Sequence, residues 1–228
     1  MREIVIDTET TGLDPNDGHR IVEIACIELL HHVPTGRVFH RYVNPERDMP
    51  TDALAVHGLT EEFLRAQPLF SQIADELAEF LGGDRLVIHN AEFDLAFINA
   101  ELARLGRGPL ASEFVDTLAI ARQRFPGAPA SLDALCRRFS IDLSGREQHG
   151  AKIDCGLLAD VYIELLGGRQ PGLEFMSSPA DGMIGEIWAR PDSTPRPPRP
   201  HAPSIEELAA HQAMLATINN PLWLTAGA

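Results

Sequence analysis

The sequence predicts an α/β fold: a mixed β-sheet flanked by helices, followed by an extended C-terminal tail. Three observations carry this. Three strand-patterned segments come first, with a turn between the second and third. The next short apolar run feeds directly into a helix, as a parallel crossover does. Beyond residue 168 the composition turns proline-rich, as an extended linker does.

Taken in order, Arg2–Ile6 is apolar on both faces and reads as a central strand. Arg20–Leu30 and Arg37–Val43 read as two more strands around a His31–Gly36 turn, an antiparallel opening. Thr60–Gln67 and Phe70–Leu81 show helical spacing, with Thr60 placed to cap a helix that opens on Glu61 and Glu62. Arg85–His89 is the short strand, entering a helix over Ala91–Leu105. Further helices are expected at Asp116–Phe125, Ser131–Phe139 and Gly150–Leu166, the last ended by Gly167-Gly168. Residues 1–168 therefore form one core domain. Nine of the 17 prolines lie between Pro171 and Pro221, which makes 169–203 a linker. Residues 204–228 regain helical spacing, and Ser204-Ile205-Glu206-Glu207 fits a capping box. A lone amphipathic helix beyond a linker has no core to join, so a partner is its natural destination.

Composition excludes several classes. No window approaches the ~18 uninterrupted apolar residues of a membrane span, and the N-terminus enters a strand without a secretion-signal pattern, so a cytoplasmic protein is expected. Cys26, Cys136 and Cys155 are odd in number and widely spaced, which argues for reduced thiols and against a zinc site. The formal charge of −14 opposes unaided binding of nucleic acid. If DNA is the substrate, something else supplies the positive charge.

Asp7 and Glu9 stand two apart at the end of the first strand, so the pleat turns both carboxylates to one side. Asp94 falls at the start of the helix after His89-Asn90, and Asp154 near the start of the helix after His149. Carboxylates gathered without thiolates suit Mg²⁺ or Mn²⁺, and a pair of such ions can serve phosphodiester hydrolysis. Glu23, Glu28, Glu92 and Asp160 read as ordinary solvated acids. His31, His32 and His40 read as strand and turn residues without a role.

Each signal alone is weak, but together and in this order they are specific. Ile4-Val5-Ile6-Asp7-Thr8-Glu9-Thr10-Thr11-Gly12, the run from His89-Asn90 to Asp94, and the run from His149 to Asp154 resemble the three motifs of the DEDDh exonuclease family. Val56-His57-Gly58-Leu59-Thr60 resembles its substrate-side loop, and the likeness covers about residues 2–168. Within the family it leans toward the proofreading subunits of bacterial replicative polymerases.

The resemblance implies a ribonuclease-H-like, five-stranded sheet in which Asp7, Glu9, Asp94 and Asp154 hold two divalent ions and His149 is the general base. It further implies that Asp52 and His57, with Asp7, Glu9, Thr10 and Asp154, contact the terminal nucleotide of a single-stranded or frayed DNA 3′ end, with Thr8, Thr11 and Gly12 nearby. In the tail, Gln170, Leu173 and Phe175 match a pattern that docks on a sliding clamp (beta). The segment from Glu206 to Trp223 looks like the end that binds the catalytic (alpha) subunit of DNA polymerase III, and a small theta-like subunit is left open. A stand-alone nuclease acting on RNA or oligonucleotide ends, or an inactive scaffold bracing a polymerase, are the competing functions.

Overall fold

The computed structural model describes residues 1–144, 150–168 and 202–218, and the chain divides into two compact units, Met1–Phe175 and Met176–Ala228. His149 and the tail residues Gln170, Leu173, Phe175 and Trp223 lie outside the described residues. In the first unit, strands β1 (Arg2–Thr10), β2 (Ile21–Leu30), β3 (Val33–Tyr42), β4 (Arg85–Ile88) and β5 (Phe114–Asp116) form one five-stranded sheet in the order β3-β2-β1-β4-β5. The first three pair antiparallel, while β4 and β5 join parallel.

Among the described residues of this unit are seven α-helices: α1 (Thr51–His57), α2 (Glu61–Arg65), α3 (Phe70–Leu81), α4 (Ala91–Arg104), α5 (Thr117–Arg124), α6 (Leu132–Phe139) and α7 (Ala151–Leu165). They cover both faces of the sheet. Ile4 and Ile6 of β1 pack with Phe70, Ile73 and Leu77 of α3 and with Phe97 and Ile98 of α4. Val5, on the other face, packs with Ala25 and Leu29 of β2 and with Leu135, Leu158 and Val161 of α6 and α7. Each such side chain, fully buried, contributes about 1.5–3 kcal/mol. The strand most central to the sheet is thus the one whose sequence is apolar on both faces. Because side chains alternate along β1, Asp7 and Glu9 share the α7 side with Val5.

The structure departs from the sequence reading in several places. The turn between β2 and β3 is not six residues long but His31-His32, both left-handed at φ 52° and 65°. That is the two-residue hairpin geometry whose twist matches the strands, and histidine is among the residues that tolerate it. Two elements were not expected. Helix α1 is only seven residues and its N-cap, Pro50, offers no side-chain hydrogen bond; β5 is only three residues long.

Glu23 and Glu28 are not solvated: they are 3% and 6% exposed within β2. Nor are the histidines idle, since His40 Nε2 lies 2.7 Å from Glu23 and His32 Nδ1 lies 2.7 Å from Glu3. All three cysteines are buried and free. Among the described residues no helix is long and apolar enough to cross a membrane. In the second unit, helix α8 (Ile205–Leu215) opens on the capping box expected: Ser204 Oγ accepts from the Glu207 amide at 3.2 Å, and Glu207 accepts from the Ser204 amide at 2.8 Å.

Candidate active site

Strand β1 continues past Ile6 to Thr10, and its register with β2 slips between Glu9 and Thr10. Such an irregularity ends regular pairing and re-aims side chains at a sheet edge. Asp7 and Glu9 sit just before it, on the α7 side. Asp154 comes from the first turn of α7, whose N-cap is Gly150. Carboxylate oxygens of Asp7, Glu9 and Asp154 lie within 4.8 Å of one another.

Asp94, in the first turn of α4, arrives from the opposite layer and stands beside this trio. Its Oδ1 accepts a 2.7 Å hydrogen bond from the Thr8 hydroxyl, which points to the α4 side of β1. The start of α4 is itself fixed. Asn90 is left-handed at φ 67°, and its amide donates to Asp116 Oδ1 at 3.0 Å, the same oxygen that caps α5 through the Leu118 amide. Asp116, which the sequence offered only as the start of a helix, thus ties the starts of two helices to the end of β5. Deeper in α4, Glu101 is 2% exposed and accepts from Arg20 at 2.6 and 2.9 Å, clamping that helix to the chain entering β2.

The electrostatics are those of crowded like charges. Burial raises the proton affinity of Asp7 well above the ordinary carboxylate range, and Asp94, Asp154, Glu9 and Glu23 raise it further. Burial pushes Asp94 up to about 7, against the Thr8 hydrogen bonds that hold it down. Every charge acting on Asp7 in this way is negative, so the site favours a cation. Hard oxygen donors without sulfur or imidazole among the described trio fit a divalent ion of the Mg²⁺ or Mn²⁺ kind.

The acids lie between two cavities. One, of about 540 Å³, is lined by Thr8, Glu9, Thr10, Gly12, Asp52 and His57 among others. At Gly12 a Cβ would fall 2.3 Å from the His19 ring, so a larger residue there would displace that ring. Asp52 is exposed on α1, whereas His57 at its end is 4% exposed. His57 Nδ1 accepts from the Leu59 amide at 3.0 Å; Nε2 is turned toward the Thr10 backbone but makes no well-aligned hydrogen bond. Burial lowers its pKa, so the neutral ring is favoured at neutral pH. The other cavity, of about 520 Å³, is lined by Asp7, Asp154, His89, Asn90, Arg122 and Ser131 among others. Of the sequence-predicted site residues within the described range, Asp7, Glu9 and Asp154 come together, Asp94 bears on Asp7 by charge, and Thr10, Asp52 and His57 line a cavity with Glu9. Glu23, His40, Asp116 and Arg122 join them unforeseen.

An α/β sheet with this acid cluster at the end of its central strand is the architecture of a nuclease. Residues 4–162 match the exonuclease model of the RNase_T family, and the chain belongs to that exonuclease family. Over 222 residues it is 48% identical to the DNA polymerase III subunit epsilon of Rickettsia felis, covering 96% of this chain and 97% of that protein. Among solved structures it is similar to exonuclease X in complex with 5′-overhanging duplex DNA, with a TM-score of 0.58 and 26% identity, over 72% of this chain and 90% of that one. The nuclease domain of 3′hExo, a DEDDh family member bound to rAMP, shares the fold at a TM-score of 0.62 and 19% identity, over 72% of this chain and 91% of that one. Exonucleases of this type work with divalent metal ions.

Proposed function

We propose that this chain is a 3′→5′ exonuclease of the epsilon kind, the proofreading subunit that accompanies a bacterial replicative DNA polymerase. The observation that carries the reading is the cluster of Asp7, Glu9 and Asp154 within 4.8 Å, with Asp94 alongside, in a chain of the exonuclease family. Asp7, Glu9, Asp94 and Asp154 would hold two divalent ions, Mg²⁺ or Mn²⁺. Bound there, the ions supply the positive charge that makes an acidic site attractive to a phosphodiester and favours attack by water.

The chain's own residues supply the rest. The cavity bounded by Thr8–Gly12, Asp52 and His57 takes the terminal nucleotide, with the unpartnered His57 Nε2 available as a donor to it. His149, two residues before the start of α7, takes the proton of the attacking water as general base, a role an imidazole can fill at neutral pH. Water adds to the phosphorus and the bond to the 3′ oxygen breaks. A nucleoside 5′-monophosphate leaves, and a strand with a free 3′ hydroxyl remains.

Residues 1–167 carry 15 Lys and Arg against 27 Asp and Glu, so the nuclease unit has little with which to hold DNA at a distance. Recruitment falls to the tail. Gln170, Leu173 and Phe175 would engage the sliding clamp (beta), 204–228 the polymerase catalytic (alpha) subunit, and 169–203 would tether the two, raising the local concentration of nuclease at the primer end. The test uses a primer with a 3′ mismatch, Mg²⁺ and the polymerase. The full chain should release nucleoside monophosphates and co-elute with the polymerase. A chain ending at Gly168 should still degrade free single strands but no longer edit during synthesis. Parental editing by the truncated chain would remove the tether; release of nucleotides from RNA ends only would point to a stand-alone nuclease.

A further inference from the structure

We infer that Glu23, held by His40, is a positioning residue that seats the start of α7 against the sheet and so sets Asp154. This rests on the two-ion exonuclease reading above. Glu23 is 3% exposed, in the middle of a strand, and lies directly across from Glu9 in the β1–β2 register. Residues opposite one another in an antiparallel pair share a face, so its carboxylate lies on the α7 side with Asp7 and Glu9. Its charge is among those that raise the proton affinity of Asp7. A fifth carboxylate in an already repulsive cluster is costly unless it has work there.

The two oxygens of Glu23 face different neighbours. Oε1 is 2.7 Å from His40 Nε2, and the His40 ring stands edge-on to Tyr42, which stands edge-on to Phe63 of α2. Oε2 looks toward α7: a Cβ built on Gly150 would lie 3.9 Å from it. Gly150 is the N-cap of α7 and provides no side-chain cap, so the first amides of that helix lack the acceptor a Ser or Asp would bring. A carboxylate from the neighbouring strand suits a helix N-terminus on charge grounds. His40 keeps the carboxylate from turning away, because it occupies one oxygen and is itself braced by the aromatic pair. The same helix carries Asp154 in its first turn, so a shift at this end moves that carboxylate.

The experiment uses the full chain with a short single strand, measured as kcat, KM and the Mg²⁺ concentration for half-maximal rate, at a temperature where each variant is folded. For Glu23→Ala, kcat should fall at least tenfold and the Mg²⁺ requirement rise, with KM for the strand within about threefold of the parent. Glu23→Gln, which keeps an acceptor oxygen, should recover part of the loss, and His40→Ala should show a smaller loss in the same direction. The double variant Glu23→Ala/Asp154→Ala should be no slower than Asp154→Ala alone. Parental kcat and Mg²⁺ requirement in Glu23→Ala would overturn the inference, as would losses that multiply fully in the double variant. If Asp154→Ala itself has the parental rate, the two-ion reading fails and the inference with it; a parental Glu23→Ala beside a slow Asp154→Ala overturns the inference alone.

Discussion

Strand β1 carries a buried acid at its start and half-buried acids at its finish, and the fold treats the two ends in opposite ways. At its start, Glu3 is fully buried and accepts a 2.8 Å hydrogen bond from the Tyr162 hydroxyl, with His32 Nδ1 2.7 Å away. Beside it, Arg2 joins Glu28 and Asp84 and reaches the Phe80 carbonyl. At its finish, the charges bearing on Asp7 are Asp94, Asp154, Glu9 and Glu23, all acids. Burial of a carboxylate therefore does not mark a site in this molecule; burial among like charges does. One end is neutralised to hold the sheet together, and at the other the acids that bear on Asp7 repel it, a repulsion that a bound cation relieves.

The largest expected effect comes from the repulsive end. Asp7→Ala, Glu9→Ala, Asp94→Ala and Asp154→Ala should each lower nucleotide release by about 10³-fold or more, the scale of losing one strong electrostatic stabiliser of the transition state. Metal-free, these variants should melt no lower than the metal-free parent, because removing one of several crowded negative charges relieves repulsion. Substantial activity of Asp94→Ala in Mg²⁺ would take Asp94 out of the ion-holding set.

The neutralised end should respond the other way round. Tyr162→Phe removes the donor to Glu3 and leaves a buried carboxylate oxygen unsatisfied, which costs about 1–3 kcal/mol. Nucleotide release by the folded fraction should match the parent. A urea midpoint equal to the parent's, or a lowered kcat with unchanged stability, would mean that the two ends do not differ as argued.

How much of this contrast was legible in the sequence depends on range. Asp7 and Glu9 follow from a spacing of two on an evident strand, and Asp94 and Asp154 from their places at helix starts. Glu23 and Glu28 were misjudged although the sign was present: both interrupt a run, Ile21–Leu30, otherwise apolar on both faces, and a strand covered on both sides leaves no solvated position for them. Helix α1 was missed because seven residues behind Pro50 give too short a period to recognise, and its burial of His57 depends on tertiary packing. Strand β5 was missed for the same reason of length. The cavity that joins Thr8–Gly12 to Asp52 and His57 brings together segments about forty residues apart, so no local pattern could have shown it.

The smallest effect should be the dependence of stability on pH. In the folded protein Asp94 is pushed up to about 7, whereas an unfolded aspartate titrates at about 3.9. Between those values the folded state holds the extra proton, so metal-free stability falls as pH rises from about 4 to about 7 and is level above. Asp7 acts in the same direction. Glu28, whose hydrogen bond from Arg2 holds its pKa below the usual range, works with the opposite sign but is lost only below pH ~4.5; His57 and His89, whose pKa values burial lowers, also oppose the acids in the window from pH 5 to 8, but only below the ordinary imidazole value of about 6.5. Within that window the metal-free parent should melt a few degrees lower at pH 8 than at pH 5, on the order of what ~1 kcal/mol does to a domain of this size. Asp94→Asn should show a smaller difference. Added Mg²⁺, which needs ionised carboxylates, should raise the melting temperature more at pH 8 than at pH 5. Equal Mg²⁺ stabilisation at both values would show that the cluster is already ionised when empty, and that the repulsion at the far end of β1 is weaker than its burial implies.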